Sequence, residues 1–266
     1  MTTITRPHGW GVCISPQMVW QHGAWIADQE LALLRPTTWL NWNVTPCTSS
    51  REAMAGAAFI PMIYGAGMLR KAQAAIPDQP NTTWLLWNEP DRAEQANMTP
   101  TQAYMATLAF LRSAWDMGIG WEFQWAAPGV AIDLDGGLDW LTDYVRLLRR
   151  HGISRPSYWH IHGYRSASLR QFEAGWATWE QWYAAWGGSA PVVLSEVCAE
   201  GASLGVQRAV MDECREMLTR GDVAGVYWYS AHQWQGMWDA SALCVVDLDA
   251  QTVTLTELGR YWMSLK

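Results

Sequence analysis

The apolar positions of this chain come as short continuous runs separated by longer stripes of helical period. Short runs occupy residues 10–14, 38–42, 59–64, 84–89, 123–127, 158–162, 192–196 and 226–230. Runs of this length, rich in aromatic and β-branched residues and bounded by Gly, Pro or polar residues, predict strands buried on both faces. Helices are predicted between most of them, at residues 28–34, 50–57, 68–75, 99–117, 138–150, 168–186, 203–220 and 256–265. The clearest is 99–117. Thr99 supplies an N-cap and Pro100 the first helical position, and Met105, Leu108, Ala109, Leu111 and Trp115 recur near the 3.6 period. Arg149 and Arg150 favour the C-terminal end of 138–150, and Gly221 ends 203–220. After the eighth strand, residues 231–255 make a long excursion. A hairpin is predicted there, pairing 243–246 with 252–255 around Asp247-Leu248-Asp249.

Eight strands alternating with helices, with no linker or low-complexity segment, predict an α/β fold: a single (β/α)8 TIM barrel over residues 1–266. The length, 266 residues, is close to the roughly 250 typical of that barrel. No apolar run approaches the roughly 20 residues of a membrane span. A formal charge of −7 argues against nucleic acid and anionic membrane as partners. The barrel is expected to act as a monomer. Residues 1–8 lack the apolar core of a signal peptide, leaving a cytoplasmic, lysis-released or signal-processed protein open.

Tryptophan changes the picture. There are 20, against four phenylalanines. Most are expected in the core, and the remainder suit a carbohydrate cleft, because an indole offers a flat apolar face and an N–H. The five cysteines are widely spaced and odd in number, which argues against a disulfide framework and a structural zinc site.

Two strands end in carboxylates. Trp84-Leu85-Leu86-Trp87 runs into Asn88-Glu89-Pro90-Asp91, and Pro90 stops the ladder because it has no N–H. Pro191-Val192-Val193-Leu194-Ser195 runs into Glu196. In a parallel barrel the carboxyl ends of the strands form the ligand-binding face. That face is expected to gather Asn41, Tyr64, Asn88, Glu89, Gln124, His160, His162, Glu196 and Tyr229 or Trp228. Two carboxyl groups flanking one bond are what glycoside hydrolysis requires. His160 and His162 share a strand face, and no third ligand is signalled beside them, so neither a metal nor a cofactor is expected.

These residues resemble a known family. Gly9-Trp10-Gly11, Phe59-Ile60-Pro61-Met62-Ile63-Tyr64-Gly65, Trp87-Asn88-Glu89-Pro90-Asp91, Ala127-Pro128-Gly129, Trp140-Leu141, His160 and Leu194-Ser195-Glu196 are similar, in order, to the small single-domain barrels of glycoside hydrolase family 128 in clan A. The resemblance implies a retaining, endo-acting hydrolase, with β-1,3-glucanases best represented. It makes Glu196 the nucleophile and Glu89 the acid/base. Two positions depart from the family. Its His-x-Tyr pattern at the sixth strand is here His160-Ile161-His162 with Tyr164 further on, and Ser195 stands where Thr is usual. Which tyrosine meets the nucleophile therefore stays open.

The mechanism calls for a dry aromatic pocket at Glu89, expected from Trp87, and for donors at Glu196, expected from His162 or Tyr164. Asn88 is expected to bind the sugar 2-OH, with Asn41 and His160 as further substrate contacts and Trp228, Tyr229 and Trp234 as sugar platforms. Two other readings remain: a non-catalytic carbohydrate-binding barrel, and a lysin-type hydrolase of cell-wall glycan.

Overall fold

The computed structural model describes residues 4–266 except 49, 51–55, 120–122, 133–134, 154, 165 and 234–238. Ten short strands form the barrel wall: β1 Gly9–Cys13, β2 Thr38–Leu40, β3 Ala58–Phe59, β4 Met62–Ile63, β5 Thr83–Leu86, β6 Gln124–Ala126, β7 Val130–Ala131, β8 Trp159–Gly163, β9 Val192–Val197 and β10 Gly225–Trp228. They pair in two parallel arcs, β3-β2-β1-β10-β9-β8-β7 and β4-β5-β6.

The arcs are separated by two prolines. Pro61 lies between β3 and β4, and Pro128 between β6 and β7. Each removes one ladder donor and splits one stave in two. Hydrogen bonds continue on both sides of each break. Ile60 N donates to Trp39 O (2.8 Å) and Met62 N to Asn43 O (2.9 Å). Ala127 N donates to Tyr158 O (2.9 Å) and Gly129 N to Trp87 O (3.0 Å). Counting β3–β4 and β6–β7 as one stave each, the wall is the eight-stave parallel ring of a (β/α)8 barrel.

The surrounding helices are α1 Pro16–His22, α2 Trp25–Leu34, α3 Leu69–Ala75, α4 Pro100–Asp116, α5 Gly137–Arg150, α6 Leu169–Trp186, α7 Leu204–Arg220 and α8 Glu257–Ser264. α4 begins with a full capping box: Thr99 Oγ1 accepts from Gln102 N, and Gln102 Oε1 accepts from Thr99 N at 2.8 Å. α7 ends at Gly221 in the left-handed region (φ 79°). α1, opened by Pro16 at its first position and closed at Gly23, is an addition to the helices expected from the sequence. The helix expected at 50–57 falls largely on 51–55, outside the described residues. The hairpin is present as β11 Cys244–Asp247 and β12 Thr252–Leu255.

Two apolar layers result. Inside the ring lie Cys13, Leu40, Ile60, Met62, Leu85, Ala126, Tyr158, Val193 and Tyr227. Gly11 makes room for Tyr227, since a Cβ there would lie 2.6 Å from its ring. Between staves and helices lies a larger layer that buries Trp39, Trp84, Trp87, Trp159, Trp179, Trp228 and Trp262. Each large apolar side chain removed from water contributes roughly 1.5–3 kcal/mol. All five cysteines are free thiols. Among the described residues no helix is long and apolar enough to cross a membrane.

Candidate active site

Local backbone irregularities deliver both acids to the mouth of the barrel. At the end of β5 the chain leaves regular strand geometry. Trp87 (φ 52°) and Glu89 (φ 40°) adopt the left-handed region, uncommon for residues with a Cβ. The turn is held by Trp87 N to Ile63 O, Asn88 N to Tyr64 O and Glu89 N to Gly129 O, each 2.8 Å. It sends Trp87 outward, where its Nε1 donates to Thr107 Oγ1 (2.9 Å), itself 2.9 Å from Tyr144 OH. Glu89 goes inward and is fully buried.

In β9 a bulge does the corresponding work. Ile161 faces Leu194 while His162 faces Glu196, and Val226 faces Leu194 while Trp228 faces Val197. One extra residue is thus inserted at Ser195-Glu196. Ser195 Oγ turns inward to His160 Nδ1 at 2.9 Å. Strict alternation would then send Glu196 outward, and the bulge brings it to the mouth instead.

The two carboxylates meet at one imidazole. His162 Nδ1 is 2.9 Å from Glu89 Oε1, and its Nε2 is 3.5 Å from Glu196 Oε1. Tyr164 OH donates to the same Glu89 oxygen. Trp42, at φ 53°, donates from Nε1 to Glu196 Oε1 at 2.6 Å. An aromatic wall runs from Trp42 edge-on to Tyr229 (5.5 Å) and from Tyr229 stacked on Tyr164 (5.7 Å). On the other side Tyr64 OH donates to Gln95 Oε1, which also accepts from Asn88 Nδ2 (3.3 Å). Gly129 makes the centre possible: a Cβ there would lie 2.5 Å from His160 Cε1 and 3.0 Å from His162 Nε2.

Electrostatics separate the groups. Burial pulls the His162 pKa down, but Glu196, Glu89 and Asp91 outweigh it and leave the imidazole above its ordinary value. His160 is held down at about 3, by burial and then by repulsion from His162. Burial, followed by the charges of Glu196 and Glu89, raises Tyr64, and burial with Glu196 foremost among the charges raises Tyr229, so both phenols stay protonated donors.

A model of the glycosyl hydrolase catalytic core family matches residues 19–262, a span holding both acids and all of the groups around them. The chain belongs to this family. A search of curated proteins by sequence finds no match. Solved structures share the barrel. The GH128 subgroup I endo-β-1,3-glucanase of Amycolatopsis mediterranei superimposes with a TM-score of 0.72 at 20% identity, covering 97% of this chain and 100% of that one. The GH128 subgroup VI exo-β-1,3-glucanase of Aureobasidium namibiae gives 0.76 at 15% identity, covering 99% and 97%. The subgroup II endo-β-1,3-glucanase of Sorangium cellulosum gives 0.70 at 19%, covering 98% of each. At such identities the likeness is one of fold.

In this glycosyl hydrolase core, Glu89, Glu196, Asn88, His162, Tyr164 and Tyr229 come together as the sequence predicts. Four expected contacts do not reach the mouth. Trp87 packs outward against α4. Trp228 is fully buried, with Nε1 on Ser241 O (2.7 Å). His160 is locked beneath the site by Ser195 Oγ and Leu86 O, each at 2.9 Å. Asn41 is buried as a loop former, donating to Thr45 O (3.1 Å) and accepting from Asn43 N (3.2 Å). Trp234 lies outside the described residues. Of the two groups expected beside Glu196, His162 faces it at 3.5 Å while Tyr164 donates to Glu89 instead, and Trp42 supplies a further donor to Glu196. Trp42 and Gln95 are additions that carried no sequence signal, and Tyr64 stands beside Asn88 through their shared partner Gln95, at the strand end where it was expected. Among the described residues no group of three or more His, Cys, Asp or Glu side chains is arranged to hold a metal.

Proposed function

We propose that this hydrolase cleaves internal bonds of a β-1,3-glucan with retention, using Glu196 as nucleophile and Glu89 as acid/base. The observation that carries the reading is the pair of buried carboxylates, one after β5 and one in β9, facing one imidazole. Glu196 attacks the anomeric carbon while Glu89 protonates the leaving oxygen. Glu89 then takes a proton from water as the ester is hydrolysed. Trp42 Nε1 steadies the Glu196 carboxylate for attack. Asn88 Oδ1 is buried without a protein partner, which suits a substrate hydroxyl such as the 2-OH. The wall of Trp42, Tyr229 and Tyr164 offers faces for sugar rings.

The substrate class is supported by structural relatives solved with laminari-oligosaccharides, among them forms in which one or the other of two glutamates is replaced. The test is reducing-sugar release from β-1,3-glucan, β-1,4-glucan, mannan, xylan and peptidoglycan by wild type, Glu89→Gln and Glu196→Gln. Release from β-1,3-glucan is expected, falling by about 10²–10⁴-fold or more in each variant. Proton NMR of the product should find the β-anomer first. Binding of laminari-oligosaccharide with no cleavage would instead identify a carbohydrate-binding barrel. Cleavage of peptidoglycan alone would identify a cell-wall lysin.

A further inference from the structure

We propose that His162 stores the catalytic proton: in the resting site the proton that Glu89 delivers sits on the imidazole, and it passes to Glu89 as Glu196 becomes an ester. The inference rests on the retaining reading above. Its basis is geometric. Both ring nitrogens face acids, at 2.9 Å and 3.5 Å, and the ring is fully buried. Glu89 Oε1 accepts from Tyr164 OH and stands at hydrogen-bond distance from His162 Nδ1. Two donors on one oxygen favour the carboxylate and leave the proton on nitrogen.

The groups around the ring agree. Glu89 and Asp91 act on it from the end of β5 and Glu196 from β9, His160 and Tyr164 lie beside it on its own strand and the residues after it, and Tyr229 at the end of β10 stacks on Tyr164. His160 is held neutral and burial keeps the Tyr229 phenol protonated, so carboxylates dominate the surroundings.

The cycle balances. In the first step a lone pair of Glu196 forms the C1–O ester bond, and the C1–O bond to the leaving sugar breaks with its electrons on oxygen. The imidazolium proton moves to Glu89 and a proton moves from Glu89 to that oxygen. His162 is left neutral. Loss of the Glu196 charge drives this transfer, because an opposite charge within about 4–6 Å moves a pKa by about 1–3. In the second step Glu89 takes a proton from water as the hydroxyl adds to C1 and the ester bond breaks. The regained Glu196 charge then returns that proton to His162.

The first experiment is a ¹⁵N-NMR titration of His162 in the whole protein, wild type against Glu196→Gln. Wild type should be imidazolium at pH 6, and the variant's pKa should fall by about 1–3. A neutral ring in wild type, or an identical titration in the variant, overturns the proposal. This arm needs no turnover, so it stands apart from failure of the glucanase reading. The second is the kcat/KM pH profile of His162→Gln and His162→Asn on laminarin and on an aryl β-glycoside with an activated leaving group. The alkaline limb should move to lower pH, and laminarin hydrolysis should fall at least tenfold more than that of the aryl glycoside, whose leaving group needs little acid help. Equal losses on both substrates with an unmoved profile would make His162 merely structural.

Discussion

His160 and His162 are two residues apart on the same face of β8, yet they form two different layers of the barrel. In the lower layer His160 is ringed by neutral partners, Ser195 Oγ and Leu86 O, and is held uncharged. In the upper layer His162 is ringed by carboxylates and is drawn toward the charged form. Burial opposes charge in both, so the neighbours decide. The lower layer fixes the floor on which the upper one works. Ser195, the partner of His160, is also the bulge residue that turns Glu196 to the mouth.

The largest effect is expected from Gly129→Ala, which strikes both layers at once. Its Cβ would meet both imidazoles, and overpacking of this kind costs about 1–3 kcal/mol. Chemical denaturation should report that loss, and hydrolysis should drop with it. Trp42→Phe acts on the upper layer alone. Removing a hydrogen bond to a charged group costs about 1.5–3 kcal/mol, so kcat/KM should fall roughly 10- to 100-fold with the unfolding midpoint little changed.

Titration should separate the layers by sign. His160 stays neutral in the folded protein down to about 3, whereas the unfolded chain takes up the proton near 6.5. Its contribution to stability is therefore present above pH 6.5 and declines on acidification, by up to about 1.4 kcal/mol per pH unit. His162 behaves oppositely. Its raised value makes its contribution complete below pH 6.5 and lost as the pH climbs through that value. Denaturation curves from pH 4 to 9 should lose the acid slope in His160→Asn and the alkaline slope in His162→Gln. The smallest effect on hydrolysis is expected from Thr107→Val, behind the outward-facing Trp87. It should leave hydrolysis per folded molecule unchanged while costing about 1–3 kcal/mol of stability, because Trp87 Nε1 and Tyr144 OH are buried and lose their partner.

What could be read in the sequence was whatever depends on local pattern. The strand-ending glutamates, the Thr99 cap and the hairpin at 244–255 all express short-range rules of periodicity and capping. Trp87 and Trp228 defeated the same rules. The left-handed turn after β5 sends Trp87 away from the mouth, and Trp228 is held by a carbonyl of the segment that follows β10. Trp42 was illegible for the converse reason. It lies beyond β2, and only its positive φ carries the indole to Glu196. Tyr164 sits past the end of β8, where strand alternation no longer dictates direction, so its partner could not be chosen in advance.

The prolines that split the wall have a mechanical consequence. Pro61 and Pro128 interrupt the two staves on either side of β5, so Glu89 stands on the short segment β4-β5-β6 while His162 and Glu196 stand on the seven-strand arc. The gap across which a sugar must fit is spanned by two joints rather than by continuous weave. Within the barrel wall, the bonded amides at those joints, Ile60, Met62, Ala127 and Gly129, should exchange faster than those of the unbroken staves, and should slow when an oligosaccharide bridges the segment and the arc.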